Sequence, residues 1–299
     1  MSWTRRALLA SSLLVGGCAV HQAPLPQGSS PTRPAPNSSG SAGTARTPPP
    51  RSPTPSAPVS TTGEQTAPPA LPTRDDVVAE FDGRSPTAFG TAVAGVARGL
   101  GGPAVLLTFD ACGGPRGSGV DAPLLAVLRR LQVPATLFLN LRWIDANQTL
   151  AAELAADALF RLGSHGRRHV PLSVTGRAAY GIAGTTGVGE IYDELTATRE
   201  WFVQATGAPP RWFRPGTAHL DDVAVSIAGR LGLGVAGFAV NADAGATASR
   251  REVSHQVQGA VAGDIVLAHM NQPAGQTAEG FADALPRLLR AGVRFTTLP

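Results

Sequence analysis

The chain has 299 residues, of which 43% are hydrophobic, and this is enough for one large folded domain with a buried core. All 25 basic residues are arginine, which excludes mechanisms that need a lysine, such as Schiff-base chemistry or a P-loop lysine on phosphates. The pI near 10 reflects scattered arginines without a dense basic stripe or an aromatic stacking platform, so we expect no nucleic-acid partner.

Residues 1–18 have the order of an export signal. The basic pair Arg5 and Arg6 precedes an apolar run over 7–15, and small residues follow before Cys18. The run is shorter than the ~20 residues that a membrane-spanning helix needs. Its end resembles a bacterial lipobox, which implies acylation of Cys18 and a lipid anchor in the cell membrane or outer membrane. The alternative is a plain cleaved signal with an incidental cysteine, and both twin-arginine and general export stay open.

Residues 19–73 contain more than half of the 26 prolines, together with Ser, Thr and Gly and few large apolar side chains. Such a segment cannot bury enough apolar surface to offset the entropy lost on ordering. We therefore predict a disordered tether that carries a single catalytic domain over residues 74–299 away from the membrane.

From residue 104 onward, short apolar runs alternate with segments of helical period. The predicted strands span 104–109, 135–140, 160–163, 211–213, 235–240, 265–268 and 295–298. The predicted helices span 120–131, 150–156, 190–205, 222–231, 251–261 and 281–291. This order predicts an α/β fold, a distorted (β/α) barrel of about seven strands, with its active site at the carboxyl ends of the strands.

Polar side chains follow several of these predicted strands directly. Asp110 follows the first strand, and His165 and His169 follow the third. Arg214 follows the fourth strand and His269 the sixth. Because a barrel gathers the carboxyl ends of its strands on one rim, we expect these five residues to meet in one site.

These residue types suit the hydrolysis of an amide, which needs an activated water, a polarised carbonyl and an acid for the departing amine. His165 and His169 lie four residues apart and can face one metal ion. Asp110 can take a proton from water while Arg214 keeps its carboxylate ionised. His269 can then protonate the departing nitrogen.

The motifs resemble those of the polysaccharide deacetylases that share the NodB homology domain. Residues 108–110 resemble the first motif, 164–169 the H-x-x-x-H metal motif, 213–215 the arginine motif and 265–269 the final histidine motif. The resemblance implies a distorted barrel and a divalent metal such as zinc. It also implies deacetylation of N-acetyl sugars in peptidoglycan, chitin-like or exported polysaccharides.

The resemblance further implies roles for single residues. Asp110 would be the catalytic base and His269 the acid. The family's aspartate that tunes the acid histidine has no clean match here, and Asp243 is the candidate. Thr217 replaces the usual aromatic residue of the arginine motif, where a backbone N–H can still donate to an oxyanion.

The first motif departs from the family pattern at Ala111, which stands where a second, metal-binding aspartate usually follows the first. Asp110, Asp121 or the Cys112 thiolate would compensate, or water would fill the position, or the metal would be bound weakly. We interpret Cys112 as a small buried thiol packed beside the strand.

Two further features flank the predicted site. The Gly-rich stretch 176–189 carries Tyr180 and is either a substrate loop over the site or an inert insertion. His219, Asp221 and Asp222 follow the arginine motif and are better suited to capping the next helix than to catalysis.

Three functions remain open from the sequence. We favour a metal-dependent N-deacetylase of an envelope or extracellular glycan. A metal-independent amide or imide hydrolase on the same barrel is credible because Ala111 occupies the ligand position. A surface lipoprotein that binds polysaccharide without cleaving it is the third.

Overall fold

The computed structural model describes residues 71–299. The predicted signal, its lipid-attachment residue Cys18 and nearly all of the predicted tether lie outside the described residues. Helix α1 (Arg74–Phe81) begins directly after Thr73, whose side chain accepts a hydrogen bond from the backbone of Asp76 and caps the helix. None of the helices between residues 71 and 299 combines the length and the apolar surface that a membrane crossing requires.

Strands and helices alternate through most of this domain. The strands are β1 (Phe89–Gly90), β2 (Val96–Ala97), β3 (Ala104–Ala111), β4 (Ala135–Leu139), β5 (Phe160–Ser164), β6 (Trp212–Phe213), β7 (Leu220–Asp221), β8 (Gly234–Ala236), β9 (Val240–Asn241), β10 (Ile265–His269) and β11 (Arg294–Thr296). The remaining helices are α2 (Ala122–Leu131), α3 (Leu141–Ala146), α4 (Gln148–Ala156), α5 (Val188–Thr196), α6 (Arg199–Thr206), α7 (Asp222–Arg230), α8 (Arg250–Gln258) and α9 (Thr277–Arg290).

Nine of these strands form one parallel sheet in the order β2-β8-β6-β5-β4-β3-β10-β9, with β11 beside the first residues of β3. Strands β1 and β7 pair separately and antiparallel. The α/β barrel expected from the sequence is confirmed in an open, curled form, since the end strands β2 and β9 do not pair with each other within residues 71–299.

The nine strands of the parallel sheet exceed the predicted seven for two reasons. Strand β2 has two residues and is too short to show a pattern. The predicted strand 235–240 is divided, because β8 pairs with β6 whereas β9 pairs with β10 on the far side of the sheet. The predicted helix 190–205 is also divided, into α5 and α6, and Thr198 between them donates its hydroxyl to buried Ser164, 2.7 Å away.

Successive side chains of β3 point to opposite faces of the sheet, one toward the apolar core and the other toward the site. Leu107 and Phe109 point toward the helices and join a large apolar cluster, where each is fully buried. Leu106 belongs instead to a small cluster on the opposite face of the sheet. Thr108 and Asp110 share that inner face by the two-residue period of the strand, so the sheet presents Asp110 toward the mouth of the curled sheet.

Helix α2 decides the role of Asp121, one of the residues that could compensate for Ala111 as a metal ligand. Its N-cap is Asp121, whose carboxylate accepts the backbone N–H of Leu124 at 3.1 Å and is 2% exposed. The helix covers the core with a buried face that includes Leu124 and Leu128. Asp121 therefore serves as a helix cap and does not replace the missing metal-ligand aspartate.

Candidate metal and catalytic site

The carboxyl ends of neighbouring strands line up along one edge of the sheet. His269 at the end of β10 is paired with Asp110 of β3. Leu139 of β4 is paired with Ser164 of β5, and Ser164 is paired with Phe213 of β6. The residues that follow these strand ends therefore converge, as the barrel rule predicts.

Arg214 anchors Asp110 at the floor of the site. Its fully buried guanidinium donates from Nη1 to Asp110 Oδ1 at 2.7 Å, and from Nη2 to Thr108 Oγ1 at 2.8 Å and to the Gly237 carbonyl at 3.0 Å. Burial raises the pKa of Asp110, but the charges of Arg214 and His165 outweigh it and hold that pKa below its usual value. The Asp110 carboxylate is thus ionised at neutral pH and fixed in orientation.

His165 presents a free nitrogen to the site. Its Nδ1 donates to the Arg214 carbonyl at 2.7 Å, which leaves Nε2 buried, without a hydrogen-bond partner and 3.7 Å from Asp110 Oδ2. Burial lowers the pKa of His165, but the Asp110 carboxylate and Cys112 raise it above the usual value. A bound metal ion would displace the Nε2 proton, and the Nδ1 bond orients the ring for that contact.

Cys112 completes a cluster with the two predicted metal ligands. The ligand atoms of Cys112, His165 and His169 lie within 4.8 Å of one another, and the two imidazole rings meet edge to face at 4.9 Å. Burial raises the pKa of the Cys112 thiol, but the neighbouring imidazoles, first that of His165, lower it well below its usual value. Cys112 therefore lies beside the predicted metal ligands as well as beside the strand, and its role as a ligand is a proposal.

This donor set fits zinc. A thiolate and two imidazoles are borderline-soft ligands, and bond lengths of about 2.0–2.3 Å would bring such atoms to about 3.3–3.8 Å from one another in a tetrahedral site. Small side-chain rotations would close the observed spacing to that value. Three protein ligands also leave a fourth position for water, which is the arrangement of a catalytic metal site and not of a structural one.

The loop of residues 165–169, here called the metal loop, is held by a residue that the sequence analysis missed. Buried Glu194 of α5 accepts the backbone N–H groups of Arg167, Arg168 and His169 at 3.0, 2.8 and 3.1 Å. Gly166 has φ +66, and a Cβ there would lie 2.5 Å from the Glu194 carboxylate. The sequence feature that could have identified Glu194 is a glutamate on the apolar face of an amphipathic helix.

Asp243 lies against His269, as predicted for a residue that tunes the acid. His269 Nδ1 donates to Asp243 Oδ1 at 2.9 Å, and Asp243 Oδ2 accepts the His269 backbone N–H at 2.7 Å and the Thr277 hydroxyl at 3.0 Å. Burial lowers the pKa of His269, but the hydrogen bonds with Asp243 and Cys112 raise it well above the usual value. The imidazolium form of His269 is therefore favoured, and the ring can act as an acid.

Residues 214–219, here called the arginine loop, pack on the metal loop. A Cβ on Gly216 would lie 2.2 Å from the His169 carbonyl carbon, so only glycine allows this approach. Thr217 has φ +62, a strained value for a β-branched residue, and its hydroxyl is buried without a partner. The structure brings Thr217 to the site, and its role as an oxyanion donor stays a prediction. Asp221 caps α7 through the backbone N–H of Ala224 at 2.8 Å.

Comparison with known proteins gives a family match over residues 97–236, to a model described as polysaccharide deacetylase. An uncharacterized Bacillus subtilis protein, YlxY, is 30% identical over 118 residues, which cover 40% of this chain. The chain spans only about a third of that relative, 33% of its length. The match includes both metal-loop histidines and Arg214, whereas Asp243 and His269 lie beyond it.

Several solved structures are similar. A peptidoglycan N-acetylglucosamine deacetylase superposes with a TM-score of 0.56 at 22% identity, over 67% of this chain and 89% of that one, and this likeness concerns the fold. A family 4 carbohydrate esterase pseudoenzyme from Bacillus anthracis superposes with a TM-score of 0.54 at 25% identity, over 66% of this chain and 64% of that one. A mutant of that pseudoenzyme has restored enzymatic activity.

Proposed function

We propose that the chain removes N-acetyl groups from the amino sugars of an envelope or extracellular polysaccharide of the peptidoglycan type, since residues 97–236 match the polysaccharide deacetylase family. One observation carries this proposal. The Cys112–His165–His169 cluster lies beside the Asp110 carboxylate, 3.7 Å from His165, and strand pairing places His269 next to Asp110. These are the parts that amide hydrolysis needs.

Cys112, His165 and His169 would hold the metal, for which zinc is the best fit to the donors. A zinc ion bound there supplies a Lewis acid for the amide carbonyl and lowers the pKa of a water molecule. Asp110 accepts the proton of the attacking water while Arg214 keeps its carboxylate in place.

His269 donates its proton to the departing nitrogen, and Asp243 stabilises its imidazolium form. The amide C–N bond breaks in this step. Acetate and a free amino sugar are the products, so the released acetate measures the reaction.

Binding of a glycan without turnover is the second candidate. It is favoured by Ala111 at the usual ligand position and by the 25% identity to a family 4 pseudoenzyme. The geometry favours catalysis, since Cys112 supplies a third metal ligand and both Asp110 and His269 retain their partners.

The test is acetate release from an N-acetylglucosamine oligomer by the purified full-length protein. We expect about one zinc ion per chain and turnover by the wild type, with a loss of about 10²–10⁴-fold in kcat for Asp110→Asn. Asp145→Asn, an exposed change on α3, is the matched control and should keep full activity. If Asp110→Asn were as active as the wild type, Asp110 would not be the base.

Removal of the metal separates the remaining alternatives. A protein stripped of zinc by a chelator should lose activity and recover it when zinc is returned. Full activity in the stripped protein would establish the metal-independent hydrolase instead. Glycan binding without acetate release, at any zinc concentration, would establish the binding protein.

We also propose that the protein is exported and held to a membrane through lipid on Cys18. The basic pair, the apolar run and the small residues before Cys18 support this, as does the proline-rich composition of the segment that follows. Incorporation of labelled fatty acid in the wild type and its loss in Cys18→Ser would test the anchor. A wild-type protein that incorporates no lipid would contradict it.

A further inference from the structure

Tyr180 is the most exposed large hydrophobic side chain of the described residues, with 82% of its surface accessible. It lies at the tip of a tight turn in which Ala179 and Ile182 exchange backbone hydrogen bonds of 3.1 and 2.9 Å. Both central residues of the turn have positive φ, 51° for Tyr180 and 74° for Gly181. Asparagine or glycine would adopt the first position with less strain.

The tyrosine ring is part of an aromatic group. It meets the His219 ring edge to face at 5.2 Å, and His219 lies 5.8 Å from the ring of Phe89. The Arg177 guanidinium covers Phe89 at 4.6 Å. We call Tyr180, His219 and Phe89 the aromatic ledge. A positive φ at an exposed tyrosine lowers the stability of the fold, and such strain is typical of functional sites.

The ledge adjoins the metal loop. His219 ends the arginine loop, five residues after Arg214. Its carbonyl accepts the backbone N–H of Leu172 at 3.1 Å, and Leu172 is three residues beyond His169. Three residues of chain span about 10 Å at most. The backbone of His219 is therefore held beside the segment that leaves the metal loop, and the ledge lies among the loops that surround the candidate metal ligands.

His219 also offers a polar group. Its Nδ1 lies 2.6 Å from the Thr217 carbonyl, and because a carbonyl only accepts, Nδ1 carries the hydrogen. Nε2 is then an acceptor with a free lone pair. A pyranose has a face of C–H groups that stacks on aromatic rings and a rim of hydroxyl groups that donate hydrogen bonds.

We propose that the aromatic ledge is a sugar-binding subsite, in which Tyr180 stacks on the pyranose next to the N-acetylated unit and His219 Nε2 accepts one of its hydroxyl groups. This inference rests on the proposed function. It assigns the 176–189 stretch to substrate binding and makes Tyr180 a determinant of specificity for polymers over single sugars.

The test compares Tyr180→Gly and Tyr180→Phe with the wild type, using full-length protein and the N-acetylglucosamine tetramer. For Tyr180→Gly we expect KM for acetate release, and Kd of the tetramer by calorimetry, to rise about tenfold with kcat little changed. Tyr180→Phe keeps the ring and should behave as the wild type. Glycine adopts a positive φ without the steric strain that tyrosine has there. Tyr180→Gly should therefore unfold at the same temperature as the wild type or at a higher one. Val261→Ala, which also changes an exposed apolar side chain, is the control.

The outcomes separate the two proposals. Turnover by the wild type with an unchanged KM in Tyr180→Gly would overturn the subsite and leave the deacetylase standing. Tetramer binding that depends on Tyr180, without acetate release by the wild type, would overturn the deacetylase and support the subsite. A wild type that neither binds nor hydrolyses the tetramer would overturn the subsite together with this substrate assignment. A marked fall in unfolding temperature for Tyr180→Gly would show a structural role and also overturn the subsite.

Discussion

Replacement of Cys112 by serine tests the least expected feature of the site, a thiolate as the third metal ligand. Zinc binds to four-ligand protein sites with about 10–16 kcal/mol, or roughly 2.5–4 kcal/mol for each ligand. A serine hydroxyl keeps the size of the side chain but is not ionised at neutral pH. We therefore expect Cys112→Ser to weaken zinc binding by about two orders of magnitude or more.

The assay is a competition for zinc between the protein and a chromophoric chelator, with cobalt as a second probe. A cobalt–thiolate bond gives a charge-transfer absorption that the serine variant cannot show. Asp121→Asn is the matched control, because Asp121 was the other residue expected to compensate for Ala111 and instead caps α2. Because asparagine caps helices about as well as aspartate, that variant should keep both the stability of the wild type in urea unfolding and its zinc affinity.

The same measurements can refute the assignment. Equal zinc affinity in Cys112→Ser and wild type, with no thiolate absorption in the cobalt form of the wild type, would show that the cysteine is no ligand. Zinc loss in Asp121→Asn without loss in Cys112→Ser would assign the third position to the aspartate. Either result would return Cys112 to a packing role.

Three further predictions concern the groups around the metal ligands. Asp243→Asn removes the partner that raises the pKa of His269, so the alkaline limb of the kcat–pH profile should move to lower pH, and an unchanged limb would contradict the acid assignment. Glu194→Gln weakens three hydrogen bonds that hold the metal loop, and zinc affinity should fall about 10–100-fold. Asp193→Asn on the same helix, whose carboxylate pairs with Arg74 outside the loop, should leave it unchanged. Gly216→Ala should lower stability by about 1–3 kcal/mol in urea unfolding and weaken zinc binding, because its Cβ would meet the metal-loop backbone at 2.2 Å. Wild-type behaviour of this variant would contradict the packing described for the two loops.

The sequence by itself determined the sheet and the place of the chemistry. Apolar runs such as 104–109 and 265–268 are long enough to identify buried parallel strands. A polar residue directly after such a run must lie at the carboxyl edge, because the chain leaves the sheet there. Asp110 and His269 were placed together by this rule alone, and the structure pairs them in register.

The pattern of residues along the chain predicted strand boundaries poorly where pairing with neighbouring strands sets those boundaries. The run 235–240 has no polar residue, and Gly237 is the one residue in it that favours a break. The break follows from sheet order, since β8 and β9 join strands on opposite sides of the sheet. Strand β2 is a further case, because its two residues are held by pairing with β8.

Only the tertiary structure decided which residues surround the metal position. Cys112 follows β3, while the two histidines it meets lie on a loop after β5, more than fifty residues later. Glu194 holds that loop from α5 through backbone N–H groups, which leave no trace in side-chain spacing. Strand-end position is a local property that the chain encodes directly, whereas the identity of a third ligand depends on distances between segments that only the folded domain fixes.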